Sequence, residues 1–491
     1  MPMLAGEDVL SMKVLTALMR LALFFSALCL TTAAALPELE VAADHRHLAT
    51  REGKPFFLLG DTAWELFHRL TREEAELYLQ NRADKGFNTI LAVALAEYEF
   101  NQPNAYGELP LENNDPTKPR EAYFQHVDWI VKQAASLGLY TAMLPTWGDK
   151  WNQKWGKGPE IFTPENAAVY CEWLAKRYRE QPIIWILGGD RPVENDRQRA
   201  ILRAMAAGLK NGDGGKHLIS FHPCGGTNSS DFWPAESWLD FHLFQSGHAK
   251  RAIANYDMNA KNLALTPLKP TLDGEPCYED HPVRGLMRNG KPTVWFDDSD
   301  VRRAAWWSVL SGACGHVYGT HSIWQFHDLE KRKPQTDART PWKEALDLPG
   351  ASQMGVMRKF LENLDWQKLR REDAFLTGQT AKPADPGQRA MAAVAADGSF
   401  AVVYAPAAKD AAGRLAISLD LSRLKFGATE LDATVYDAAT CQPAGRVMVA
   451  DGEVLTVADS SGLAGGDGKP TGSHRDLVWL LRAKSSGEVR P

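Results

Sequence analysis

Cysteine is scarce in this chain: six among 491 residues, with no regular spacing. Cys29 lies in an N-terminal leader, while Cys171, Cys224, Cys277, Cys314 and Cys441 form no C-x-x-C pair and join no histidine at zinc spacing. That pattern excludes a disulfide scaffold and a structural zinc site, and separate buried thiols are expected, although Cys224 and Cys277 both follow strand ends. Clusters of Lys and Arg are missing as well. With a formal net charge of −6, nucleic acid is not an expected partner. No apolar run is long enough to span a bilayer, so no integral membrane segment is expected once the leader is removed. A G-x-S-x-G elbow, an H-E-x-x-H pair and a glycine-rich phosphate loop after the first strand are all absent. Serine hydrolase, zinc protease and dinucleotide chemistry therefore lack support, and no cofactor or metal is implied.

What the chain does have is apolar and aromatic material: 44% hydrophobic residues and sixteen tryptophans. Beyond roughly 250–300 residues one core usually splits, so a large domain plus a smaller one is expected. Residues 1–35 stand apart: Lys13 and Arg20 precede the apolar stretch 21–30, and 31–35 supplies small residues. This is the layout of a secretory signal peptide, which predicts a secreted or periplasmic protein starting near Leu36. Met12 is an alternative start.

From about residue 55 to 365, short apolar strands alternate with helical stretches, the signature of βα units around a parallel sheet. The strands read as 56–60, 87–93, 139–145, 183–187, 218–221, 239–244, 270–275 and 315–319. Helices are expected after the cap Thr71 with its box partner Glu74, then at 121–137, from Thr163 to about Glu180, at 194–209 and at 302–311. Eight strands predict the α/β class and a (β/α)8 barrel over 36–365, with an open doubly wound sheet as the alternative. After about Trp366 the period changes to two, in Phe400, Val402 and Tyr404; Leu415, Ile417 and Leu419; Leu431, Ala433 and Val435; Leu477, Trp479 and Leu481. Residues 366–491 therefore read as a small all-β sandwich, with 460–472 as a hairpin loop.

Two of the barrel strands end in acids. Ile183-Ile184-Trp185-Ile186-Leu187-Gly188-Gly189 runs into Asp190, and Pro270-Thr271-Leu272-Asp273-Gly274 into Glu275. Strands four and seven face each other across a barrel mouth, where such enzymes keep their chemistry. A facing carboxylate pair can hydrolyse a glycosidic bond, with ~5–5.5 Å separation for retention and ~6.5–9.5 Å for inversion. Asp61, His222 and Gln245 are strand-end groups suited to sugar hydroxyls, and Trp64, Trp147, Tyr318 and Trp324 are candidate stacking surfaces. Several have a structural alternative: a helix cap for Asp61 or Asp190, a satisfied strand-end ring for His222, core filling for the tryptophans. Arg191 either holds Asp190 or grips an anionic sugar. A neighbouring cation lowers a carboxyl pKa, so a general acid at 190 requires that Arg191 point elsewhere or that other neighbours raise Asp190. Glu97, Asp149 and Glu279 are loop alternatives for the acids.

Gly60-Asp61-Thr62-Ala63-Trp64, the 185–192 stretch and Asp273-Gly274-Glu275-Pro276 resemble the apiosidase-like family of secreted bacterial glycoside hydrolases. The resemblance implies a (β/α)8 barrel with Asp190 as acid/base and Glu275 as nucleophile. In related barrel glycosidases the acid/base is commonly a Glu after Asn. Here Asp follows Gly189, which shortens the proton donor's reach. The family's characterised activity implies an oligo- or polysaccharide substrate such as the apiose-bearing pectic glycan rhamnogalacturonan II. The tail resembles a small β-domain named for collagen binding, though nothing in 366–491 shows a collagen groove. Rival readings are a furanosidase of another specificity and a non-catalytic carbohydrate- or matrix-binding surface protein.

Overall fold

The computed structural model describes residues 35–377, 383–406, 418–420, 423–424, 430–450, 454–456 and 476–483. All but the last residue of the expected leader, the 460–472 hairpin loop, and Leu415 and Ile417 lie outside them. From Pro37 onwards the described residues form one compact unit.

Eight strands carry the first part: β1 (Leu58–Thr62), β2 (Thr89–Val93), β3 (Tyr140–Leu144), β4 (Ile183–Gly188), β5 (Ile219–His222), β6 (His242–Phe244), β7 (Thr271–Asp273) and β8 (Gly315–Tyr318). They lie where the eight apolar runs predict them, each buried along its whole length. Strands β8-β1-β2-β3-β4-β5 form one parallel sheet, and β6 pairs with β7 in parallel. Backbone bonds stitch both seams: Asp240 N–H donates to the Ile219 carbonyl at 2.8 Å, and Cys314 N–H to the Thr271 carbonyl at 2.9 Å. Strands thus follow one another in chain order around a curled sheet, an arrangement that fits a (β/α)8 fold.

The outer helices obey their local signals. α1 (Arg72–Asp84) opens on the expected capping box, with Glu74 N–H donating to Thr71 Oγ1 at 3.3 Å and Thr71 N–H to Glu74 Oε2 at 3.2 Å. α2 (Glu121–Ser136), α3 (Pro164–Tyr178), α4 (Asp196–Asp213) and α5 (Asn255–Leu263) follow. α6 (Asp298–Leu310) begins ahead of the expected Arg302, because Asp297 accepts from the amides of Ser299 and Asp300 and caps an earlier turn. α7 (Pro349–Glu362) closes this part.

Beyond it come β9 (Leu369–Arg371), β10 (Met391–Ala395), β11 (Phe400–Ala405), β12 (Ser418–Asp420), β13 (Glu430–Asp437), β14 (Pro443–Ala450), β15 (Val454–Thr456) and β16 (Leu477–Ala483). Strands β9-β10-β11-β16-β13-β14 form an antiparallel sheet, and β12 pairs with β15. The period-two pattern of β11 predicted one buried face, yet all six residues are buried. One face (Phe400, Val402, Tyr404) joins a core with Trp306, Trp307 and Leu310 of α6. The other (Ala401, Val403) packs with Phe375, Leu419, Trp479 and Leu481. The α6 contact is close: Trp306 stacks on Tyr404 with centroids 5.9 Å apart and planes 8° apart. Arg302 grips Asp476 through Nε–Oδ2 at 2.8 Å and Nη2–Oδ1 at 2.5 Å, and Tyr404 OH donates to Asp476 Oδ2 at 2.7 Å.

The five described cysteines are free, three buried and two half-buried. No helix among the described residues is long and apolar enough to cross a membrane.

Candidate active site

A cleft of about 890 Å³ opens beyond the carboxyl ends of the strands, and both Asp190 and Glu275 line it. β4 delivers Asp190 through a bend no ordinary strand makes: φ is +97° at Gly188, +97° at Gly189 and +56° at Asp190. A Cβ at Gly188 would stand 2.2 Å from the His222 carbonyl oxygen, and one at Gly189 2.5 Å from the Gly148 nitrogen, so both positions need glycine. Asp190 caps no helix; α4 is capped by Asn195.

The two carboxyls are held differently. Glu275 lies between two histidines, with His222 Nε2 3.1 Å from its Oε2 and His248 Nε2 3.1 Å from its Oε1. Each ring has its tautomer set from behind. Asp190 N–H donates to His222 Nδ1 at 3.2 Å and Tyr278 N–H to His248 Nδ1 at 3.4 Å, which places a ring proton on the Nε2 facing Glu275. Burial pushes the Glu275 carboxyl up, but the ring N–H groups that His222 and His248 turn toward it outweigh burial and hold it down, to about 2. Asp190 moves the other way. Burial and the negative charge of Glu275 raise it, against the lowering pull of Arg191, His222 and Trp155. Its Oδ2 accepts from Trp155 Nε1 at 3.2 Å and Arg191 Nη1 at 3.2 Å, leaving Oδ1 without either donor.

Of the candidate sugar contacts, Trp64, Trp147, Gln245 and Trp324 line the cleft. Trp64 and Trp147 meet with centroids 5.2 Å apart. Trp147 Nε1 and Gln245 Oε1 are buried without a hydrogen-bond partner among the described residues.

Four candidates do not line the cleft. Asp61 is fully buried and accepts from Arg82 Nε at 2.7 Å and Tyr78 OH at 2.6 Å, both on α1. The reason is register: β1 runs on to Thr62, so Asp61 sits within the strand and turns outward to the helix layer. Tyr318 is buried and donates to Glu279 Oε2 at 2.5 Å. Arg191 does not point elsewhere and does not reach sugar; its buried guanidinium spans Asp190 and Glu97 (Nη2–Oε1 2.8 Å). His222 stands behind the pair rather than on the cleft wall. Among the loop acids, Asp149 is used by Lys150 and by the amides of Lys157 and Gly158, and Glu279 by Tyr318 and the Gly350 amide. Glu97 alone reaches the cleft, where burial lifts its carboxyl to about 7 despite Arg191.

A profile of the apiosidase-like catalytic domain matches residues 42–368. The chain belongs to the apiosidase-like family. It is accordingly a glycoside hydrolase, and solved structures agree. A protein described as a glycoside hydrolase is 29% identical, covers 92% of this chain and 98% of its own, and superposes with a TM-score of 0.77. A glycoside hydrolase family 5 structure from Bacteroides vulgatus is 28% identical over 92% of this chain and 94% of its own, with a TM-score of 0.75. No curated protein matches the sequence. Tyr98, Trp155, His248, Tyr278, His281 and Arg284 also line the glycosidase's cleft and were not singled out from the sequence. His248 had a signal, three residues past Gln245 on the same strand exit; Trp155 had none beyond being one tryptophan among sixteen.

Proposed function

We propose that this glycosidase cleaves apiose-bearing pectic or similar plant cell-wall glycans by retaining double displacement, with Asp190 as acid/base and Glu275 as nucleophile. The observation that carries it is how differently the two carboxyls are held. Glu275 has a histidine Nε2 3.1 Å from each oxygen, which holds it low. Asp190 takes Trp155 and Arg191 on Oδ2 alone and is raised by burial and by Glu275. Facing groups whose environments drive their pKa values apart are the mark of an acid and an anion sharing one reaction. A carboxylate held that low is a poor general base for water, but it is ionised for attack and departs readily from a glycosyl ester. That favours retention. Protonated Asp190 gives its Oδ1 proton to the glycosidic oxygen while Glu275 attacks the anomeric carbon, and the C–O bond to the leaving sugar breaks. Asp190, now ionised, takes a proton from water as that water's oxygen attacks the same carbon and frees Glu275. The unpaired donor of Trp147 and acceptor of Gln245 suit the hydroxyls of the bound sugar. The pectic specificity is supported by the family match.

Asp190→Ala and Glu275→Ala are each expected to lower kcat by roughly 10²–10⁴ on pectic oligosaccharides. NMR of the first product should show the substrate's anomeric configuration. Full activity in both variants would end the assignment, and an inverted product would end the retaining mechanism.

A further inference from the structure

The most exposed aromatic of the cleft is also the one that touches the proton donor. Trp155 is 58% exposed, yet its Nε1 donates to Asp190 Oδ2 at 3.2 Å. Its ring is fixed in place: the Arg191 guanidinium lies 4.8 Å and Lys154 Nζ 5.7 Å from the centroid. The loop that carries it is pinned from below, where Asp149 Oδ2 accepts from the amides of Lys157 at 3.0 Å and Gly158 at 2.7 Å. Gly156 is needed for the approach, since a Cβ there would stand 2.3 Å from Asp149 Cβ as well as 2.2 Å from Arg191 Nη2. A large apolar surface left to solvent on an anchored loop, at the mouth of a sugar cleft, is a stacking platform for a ring.

The proton donor gives the platform its position in the reaction. A glycosidic oxygen that takes a proton from Asp190 must sit beside it, so the departing sugar extends over whatever flanks that acid. Trp155 flanks it. From this geometry we propose, building on the retaining glycosidase reading above, that Trp155 forms the leaving-group subsite and that the same indole turns Asp190 so that Oδ1 carries the transferred proton. The ligand class is a sugar ring presenting an apolar C–H face on the leaving side of the bond. Trp155 acts on the chemistry through Asp190 and is a positioning residue. Glu275, Arg191, His222, Glu97, Cys224 and Tyr278 also act electrostatically with Asp190. The indole N–H favours the ionised carboxylate, so its removal raises the acid while freeing its orientation.

The test compares wild type, Trp155→Phe and Trp155→Ala on pectic oligosaccharides and on glycosyl fluorides of the sugar whose bond is cleaved. Trp155→Ala should raise KM on oligosaccharides about tenfold, and Trp155→Phe should keep KM within about threefold. Trp155→Phe should move the alkaline limb of kcat/KM upward by about half a pH unit. The loss of Trp155→Ala on glycosyl fluorides, which need little proton donation and carry no ring on the leaving side, should be at least about fivefold smaller than on oligosaccharides. Equal losses on both substrate types, or an unmoved pH limb in Trp155→Phe, would overturn the proposal. If wild type hydrolyses none of the panel, the pectic reading fails while this one remains open to NMR. In ¹⁵N-tryptophan protein the Trp155 indole N–H, assigned by its loss in Trp155→Phe, should titrate with Asp190 and stop titrating in Asp190→Asn. A resonance that titrates identically in Asp190→Asn overturns it.

Discussion

At Asp190 a carboxylate raises the acid while a guanidinium, an imidazole and an indole lower it, and of these neighbours the indole was the one the sequence did not suggest. Arg191 does contact the acid, which would argue against a proton donor, but it is shared with Glu97 and is outweighed by burial and by Glu275. Glu97 therefore matters at a distance. Its carboxyl, lifted to about 7, is part-charged near neutrality, where it raises Asp190 and occupies one arm of Arg191. Glu97→Gln removes that negative charge and leaves Arg191 to Asp190, and both changes lower the acid. The alkaline limb of kcat/KM should shift to lower pH, and a limb that stays in place or rises would contradict this account. Glu275 sets the opposite limb: its folded pKa of about 2 keeps it ionised throughout the working range, and its contribution to stability is present above its unfolded value and lost as pH falls through about 2.

The exit of β4 shows what one element can and cannot announce. Its apolar run ending at a carboxylate placed Asp190 at the cleft, and the same pattern placed Glu275, because full burial on both faces leaves a plain trace in sequence. The trace does not say which way a residue turns. A two-residue extension of β1 sent Asp61 outward to α1, and His248, Trp155 and Arg284 lie beyond strand ends, where no period constrains them. Paired glycines before the acid were visible; their job was not. Gly189→Ala meets both a left-handed φ and a 2.5 Å contact with the Gly148 nitrogen, whereas Gly53→Ala, at φ +81°, meets nothing within 4 Å. Denaturant titration should show Gly53→Ala costing about 1 kcal/mol and Gly189→Ala about 2 kcal/mol or more. Only the second should lose activity, since it displaces Asp190, and equal costs with full activity would refute the contact.

Across the whole molecule the two sheets share a core. The period-two pattern after Trp366 revealed a β-rich tail, but it could not reveal that the second face of β11 is spent on α6. The buried pair Arg302–Asp476 crosses that seam, with Tyr404 as a third member. Asp476→Ala leaves a buried guanidinium uncompensated and should cost about 3–5 kcal/mol, with loss of structure in both parts as one thermal transition. Two separated calorimetric transitions in wild type would show that the parts melt alone. Domains joined only through a small polar interface move and can be exchanged as units. Here the tail's sheet packs against α6, the helix that leads into β8 of the parallel sheet. An engineer could append a new targeting module to this glycosidase, but replacing β11 and β16 with one would strip α6 of the core it packs against.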